Sequence, residues 1–129
     1  MAGVFPEDNT ITASGTFQFT NKVPVLTSRG TASAAGYFTG AMKKQNHVRT
    51  IGDTTFEIFA GSDIFTLTNG NGKWRTRVST HDVEIMYNGN FQSFEGIGIT
   101  PDESSFPKAA QITAGEDIHK TAAVNYILN

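Results

Sequence analysis

Val23-Pro24-Val25-Leu26-Thr27-Ser28-Arg29-Gly30-Thr31-Ala32-Ser33-Ala34-Ala35-Gly36-Tyr37-Phe38-Thr39-Gly40-Ala41-Met42 is the stretch on which the fold turns. Its first five residues are β-branched or apolar with a single polar end, the composition of a short strand buried on both faces, and Pro24 is tolerable because it lies near the start. Ser28-Arg29-Gly30 then interrupts the pattern. From Ala34 onward the apolar residues fall at helical spacing, with Ala34, Phe38, Ala41 and Met42 on one stripe. Lys43 and Lys44 close the segment where cations suit the negative end of the helix dipole. A strand, a turn and a helix in that order predict a layered α/β domain with Ser33 at the start of the helix.

On the N-terminal side, residues 1–16, with Pro6, Asp8, Asn9, Ser14 and Gly15, have no sustained period and form an irregular lead-in. On the C-terminal side, residues 48–52 read as a second short strand. Phe65 and Leu67 alternate with Thr66 and Thr68, Asn69-Gly70-Asn71-Gly72 supplies turn chemistry, and Trp74, Thr76 and Val78 alternate with Arg75 and Arg77, which makes a β-hairpin. In that alternation Trp74 faces inward and both arginines face out. Val83, Ile85 and Tyr87 continue the period of two until Asn88-Gly89, residues that tolerate positive φ. The middle of the chain is therefore β-rich. Glu116 and Asp117 lead a terminal helix whose Ile118, Ala122, Tyr126 and Ile127 share one face, packing back on the sheet.

Composition narrows the functions. The 129 residues, 38% of them hydrophobic, suffice for one compact domain but not two. A formal charge of −2 provides no strong field for a polyanion, so no nucleic-acid partner is expected. The absence of cysteine removes disulfides, thiolate metal sites and Cys nucleophiles together. No apolar run reaches the ~18 residues of a membrane span. The start Met1-Ala2-Gly3-Val4-Phe5-Pro6 lacks the basic region and apolar core of a signal peptide, and the chain is expected to begin within a domain. His47, His81 and His119 fit no metal-binding spacing, and no metal or cofactor is expected. The cluster Gly70-Asn71-Gly72-Lys73 lacks the spacing of a phosphate-binding loop.

Strand, glycine turn, small residues and helix form the local geometry that presents a nucleophile at a helix N-terminus, where free backbone N–H groups can stabilise an oxyanion. Serine is equally a preferred helix cap, so on this ground alone Ser33 fits both roles.

The stretch Leu26 to Ala35 resembles the nucleophile segment of the S41-type serine peptidases, the group of tail-specific, carboxyl-terminal-processing and tricorn-core proteases. Phe38 to Met42 resembles that family's following helix, Ile51-Gly52-Asp53-Thr54-Thr55-Phe56 its "IGE-x-TF" segment, and Phe94-Glu95-Gly96-Ile97-Gly98-Ile99-Thr100-Pro101-Asp102 its late "EG-x-GI-x-PD" signature. The resemblance runs from about residue 17 to 129. It implies a crotonase-like or Clp-protease-like α/β fold in which this chain is the C-terminal half of the catalytic domain. The double-glycine oxyanion strand and, in some branches, a catalytic His would come from an upstream half or from a partner copy. It implies a peptide or protein substrate, and suggests a periplasmic, cell-envelope or extracellular setting.

Carried over residue by residue, the resemblance puts Ser33 at the nucleophile position and the Ala34 amide at that of an oxyanion donor. Members with a Ser–Lys dyad carry the lysine 25 residues after the serine, and here that position is Ile58, which cannot accept a proton. Neighbouring Glu57 points elsewhere and does not replace it. The tricorn-like branch instead pairs Ser with an upstream His and a late acid, for which Glu95 is the candidate, a residue that is otherwise an ordinary surface carboxylate. His81 is the alternative base within the chain. Gly36 replaces the glutamate common at its position. A second reading, a non-catalytic ligand- or peptide-binding relative like the retinoid-binding repeats of the photoreceptor matrix, stays open on Ile58 and Gly36.

Overall fold

Three parallel strands organise the chain in the computed structural model, which describes residues 15–16, 19–56, 60–69 and 72–129. Strand β1 (Val23–Thr27) leads through helix α1 (Ala34–Lys43) to β2 (Val48–Gly52), which pairs with it in parallel from Val23 opposite Val48 to Thr27 opposite Gly52. Two hairpins follow, β3 (Ala60–Asn69) with β4 (Gly72–Asp82) and β5 (Ile85–Tyr87) with β6 (Asn90–Gln92). The chain then returns as β7 (Glu103–Ser104), parallel to the end of β2, so the sheet order is β1-β2-β7. A short α2 (Ala109–Thr113) precedes α3 (Ile118–Leu128), which packs on β1 and β2. The α/β class, the long hairpin, the strand ending at Asn88-Gly89 and both long helices agree with the sequence; β6, which makes a second hairpin with β5, β7 and α2 are additions.

The central strand β2 holds the core. Val48, Thr50 and Ile51 are buried there, Ile85 and Ile99 pack together beside α1, and Val83 and Phe94 lean on that pair. Buried threonines would be costly if their hydroxyls lacked partners, but each is engaged. Thr27 donates to the Asp53 carbonyl at 2.8 Å, Thr39 to the Ala35 carbonyl at 2.8 Å, and Thr55 accepts from the Ile99 amide at 2.7 Å.

Four packing expectations are overturned. On α3 Ile127 is 52% exposed, and Ala123 is the buried residue in its place. Strand β1 is not buried on both faces, since it lies at the edge of the sheet, Thr27 is its one buried residue and Leu26 is 48% exposed. The helical stripe Ala34, Phe38 and Ala41 faces outward, and α1 instead buries Gly36, Thr39 and Gly40. Close approach explains the reversal: a Cβ on Gly40 would lie 2.3 Å from Ile85 Cδ1 and 3.0 Å from Ile99 Cδ1, so the helix lies flush on a face too tight for Phe38. Trp74 is 68% exposed rather than inward. The alternation itself is right, since the register puts Phe65, Leu67, Trp74 and Val78 on one face and Lys73, Arg75 and Arg77 on the other. Every residue of β4 is exposed, however, because no other described element packs extensively against this hairpin.

Candidate active site

Ser33 begins α1 with φ 56° and ψ −127°. Those angles are the mirror image of the first central position of a type II turn, where glycine is usual and a Cβ is strained. The hydroxyl makes no capping bond, so the ordinary cap role does not hold Ser33 in that conformation. The Ser33 carbonyl accepts from the Tyr37 amide at 2.9 Å, starting the helix. Among the described residues no acceptor meets the amides of Ala34 and Gly36. An exposed serine side chain thus stands on a sharp strand-to-helix turn beside backbone donors that have no acceptor among the described residues.

Three segments far apart in sequence converge around that turn. The Thr27 carbonyl accepts from the Asp53 amide at 3.1 Å, Arg29 Nε donates to Asp53 Oδ2 at 3.2 Å, and the Thr31 carbonyl accepts from the Phe56 amide at 2.9 Å, so residues 53–56 support the nucleophile loop. The same segment grips the late loop, where the Thr55 amide donates to the Ile99 carbonyl at 3.2 Å. Glycines make the approaches possible. Gly52 (φ 136°) and Gly98 (φ 79°) would each put a Cβ 2.0 Å from a carbonyl oxygen, that of Thr27 and that of Thr55.

A fourth contact joins the far end of α1 to this scaffold. Lys43 Nζ donates to the Thr100 carbonyl at 2.9 Å and to Asp102 Oδ1, with Thr50 Oγ1 at 3.5 Å. Asp102 Oδ2 accepts from the Thr50 amide at 2.9 Å and hydroxyl at 2.8 Å. Burial alone would push the Asp102 carboxyl up, but the hydrogen bonds from Lys43 and from the Thr50 amide and hydroxyl, with the Lys43 charge, hold it below its ordinary range. In the sequence Lys43 reads only as a dipole-matching cation and Asp102 only as the end of a motif. The available signal was that motif, which resembles a functional signature while Asp102 does structural work.

The other candidates lie on separate elements. Glu95 lies in the exposed turn after β6, where the Phe94 carbonyl accepts from the Ile97 and Gly98 amides at 3.0 and 3.1 Å. His81 is held at the base of the long hairpin, its Nδ1 2.8 Å from the Thr80 hydroxyl and 4.0 Å from Asp63 Oδ2. His119 Nε2 meets the Ser105 carbonyl at 2.8 Å, and the His47 carbonyl accepts from Tyr126. Among the described residues no three His, Asp or Glu side chains gather as metal ligands, and no helix is long and apolar enough to cross a membrane. An open groove of about 860 Å³ beside α3, lined by Lys22, Arg49, Glu103, Asp117 and Tyr126, includes none of Ser33, Ala34 and Glu95. Glu57 and Ile58 lie outside the described residues, as does the lead-in up to residue 14.

The sequence profile of peptidase family S41 matches residues 5–105. The chain belongs to peptidase family S41. Among solved structures, this S41 chain is similar to a protein of Parabacteroides merdae described as a "putative peptidase", with 31% identity and a TM-score of 0.64. The match covers 90% of the S41 chain and 35% of the Parabacteroides protein, so the chain spans about a third of that relative's length. No curated protein matches it. The S41 profile contains the strand, Ser33 turn, helix and late glycine loop described above, and family and relative together support a peptidase role.

Proposed function

We propose that the chain is the C-terminal half of the catalytic domain of a serine endopeptidase of the tail-specific type, with a crotonase- or Clp-protease-like fold and Ser33 as nucleophile. The observation that carries this reading is the backbone of Ser33, strained at φ 56° with its hydroxyl free of a capping role. Strain of this kind costs on the order of 1–3 kcal/mol and persists where surrounding structure holds it for a purpose. In the proposed reaction Ser33 Oγ attacks the carbonyl of a peptide or protein substrate. A base takes the serine proton and returns it to the departing amine, and water then releases the acyl group from Ser33. The Ala34 amide donates to the oxyanion, beside a second donor from the upstream half.

Glu95 is proposed as the acid that orients the base. The base itself is proposed to be a His of the upstream half or of a partner copy, since Ile58 replaces the dyad lysine. The coverage of 35% of the Parabacteroides relative supports the view that such a half completes the site. The second reading, a binding relative without catalysis, rests on Ile58. Gly36 supports it less, because that position is buried, where a glutamate would be costly.

The test is covalent labelling with a fluorophosphonate serine-hydrolase probe, applied to this chain and to a version extended upstream, each beside its Ser33→Ala counterpart. Labelling that requires Ser33 and the extension is the expected result. Equal labelling of the Ser33→Ala protein, or none in either length, would sink the peptidase reading and favour binding.

A further inference from the structure

The hydrogen bonds around α1 close a ring. From Ser33 the helix runs ten residues, about 15 Å, to Lys43. Lys43 holds Asp102 and the Thr100 carbonyl, and Ile99 next to Thr100 is bonded to Thr55 in both directions. Phe56, the residue after Thr55, holds Thr31 two residues before Ser33. Across the helix axis the position is fixed by Gly40, seated against Ile85 and Ile99. Along the axis a flush helix can slide, and at its far end Lys43 is the α1 side chain that opposes sliding, beside the turn whose His47 carbonyl is held by Val23 and Tyr126.

The chemistry at that end is fully matched. The Lys43 side chain is 11% exposed and its three donors face three oxygens, those of Thr50, Thr100 and Asp102. Thr50 Oγ1 donates to Asp102 and accepts from the Asp102 amide at 2.9 Å, so the carboxylate cannot turn away without breaking several bonds. A dipole-matching surface lysine needs none of this.

We propose that Lys43 and Asp102 are positioning residues, which through the rigid body of α1 set where Ser33 stands relative to the 53–56 and 94–102 segments. This rests on the reading of Ser33 as nucleophile. A displacement of about 1 Å at a reacting group can cost on the order of 100-fold in rate, so a brace remote from the serine has leverage on its reactivity.

The experiment compares the wild type, Lys43→Met, Lys43→Arg, Asp102→Asn and Thr50→Val in the full-length protein, well below the thermal midpoint of each. It reads two quantities: the rate of fluorophosphonate labelling per folded molecule, and amide hydrogen exchange at Tyr37, whose N–H bonds to Ser33. Lys43→Met and Asp102→Asn are expected to label roughly 10- to 100-fold more slowly and to exchange faster at Tyr37. Lys43→Arg, which keeps the charge and donors, recovers most of the rate. Should Lys43→Met fail to fold, Thr50→Val, which removes a single hydroxyl, carries the comparison with a smaller loss. Variants that lose thermal stability yet label at the wild-type rate would make the brace merely structural and overturn the proposal. Absence of Ser33-dependent labelling in the wild type would instead overturn the nucleophile reading, and this inference with it.

Discussion

At Ser33, serine chemistry and backbone preference oppose each other. A residue with a Cβ at φ 56° is uncommon, and glycine would occupy the same turn without strain. Replacing Ser33 with glycine therefore relieves strain but adds freedom to the unfolded chain, and the balance predicts a gain of about 1 kcal/mol. Ser33→Ala keeps the Cβ and the strain, so its stability is expected to stay near that of the wild type. Both substitutions abolish the proposed labelling. Urea unfolding of the three proteins checks the order, and a Ser33→Gly protein less stable than Ser33→Ala would mean that the serine side chain stabilises the turn. Ser33 could be picked out from its sequence neighbours, whereas its φ could not, because the loops that impose it lie 20 and more residues away.

Helix α1 shows where element-level reading succeeds and where it stops. Its span and cationic end follow from spacing and charge, but its buried face does not. Hydrophobic periodicity assumes that the largest apolar side chains face the sheet. Here Gly36, Thr39 and Gly40 allow the backbone close, and Phe38 stays 55% exposed. The same substitution scale that ranks Phe above Gly in a core thus ranks this helix backwards. Gly40→Ala is expected to destabilise the chain by about 2 kcal/mol, because the new methyl meets Ile85, while Phe38→Ser changes stability by less than about 0.5 kcal/mol. Thermal denaturation of the two variants decides it; a larger loss for Phe38→Ser would restore the stripe as the packed face. The end of β5 was legible for the opposite reason, since Asn88 (φ 51°) and Gly89 (φ 82°) carry their turn in their own residue types, although the return strand β6 was not legible. Strand β7 was not, because a two-residue strand has no period and owes its pairing to the loop that Asp102 ties to Thr50.

The whole molecule exposes more apolar surface than its small core would suggest. Five apolar residues are buried among the described ones, Val48, Ile51, Ile85, Ile99 and Ala123, while Phe65, Leu67 and Trp74 stand open on one face of the long hairpin and Phe38 on α1. A lone two-stranded ribbon is marginal in water, and its open edges invite pairing with other strands. Lys73, Arg75 and Arg77 solvate one of its faces, which leaves the Trp74 face as the one that gains from cover. We expect that cover to be the upstream half of the domain or, when the chain is alone, a second copy. Sedimentation velocity of the isolated chain should then show association that grows with concentration. Trp74 is the only tryptophan, so its emission reports the hairpin directly, shifting from a solvated to a buried wavelength as copies associate. Trp74→Thr with Phe65→Thr should abolish the association, while Thr66→Ser with Thr68→Ser on the opposite face should preserve it. A chain that stays monomeric at every concentration, with Trp74 emission unchanged, would mean that the hairpin is stable uncovered and that its apolar face has no partner among copies of itself.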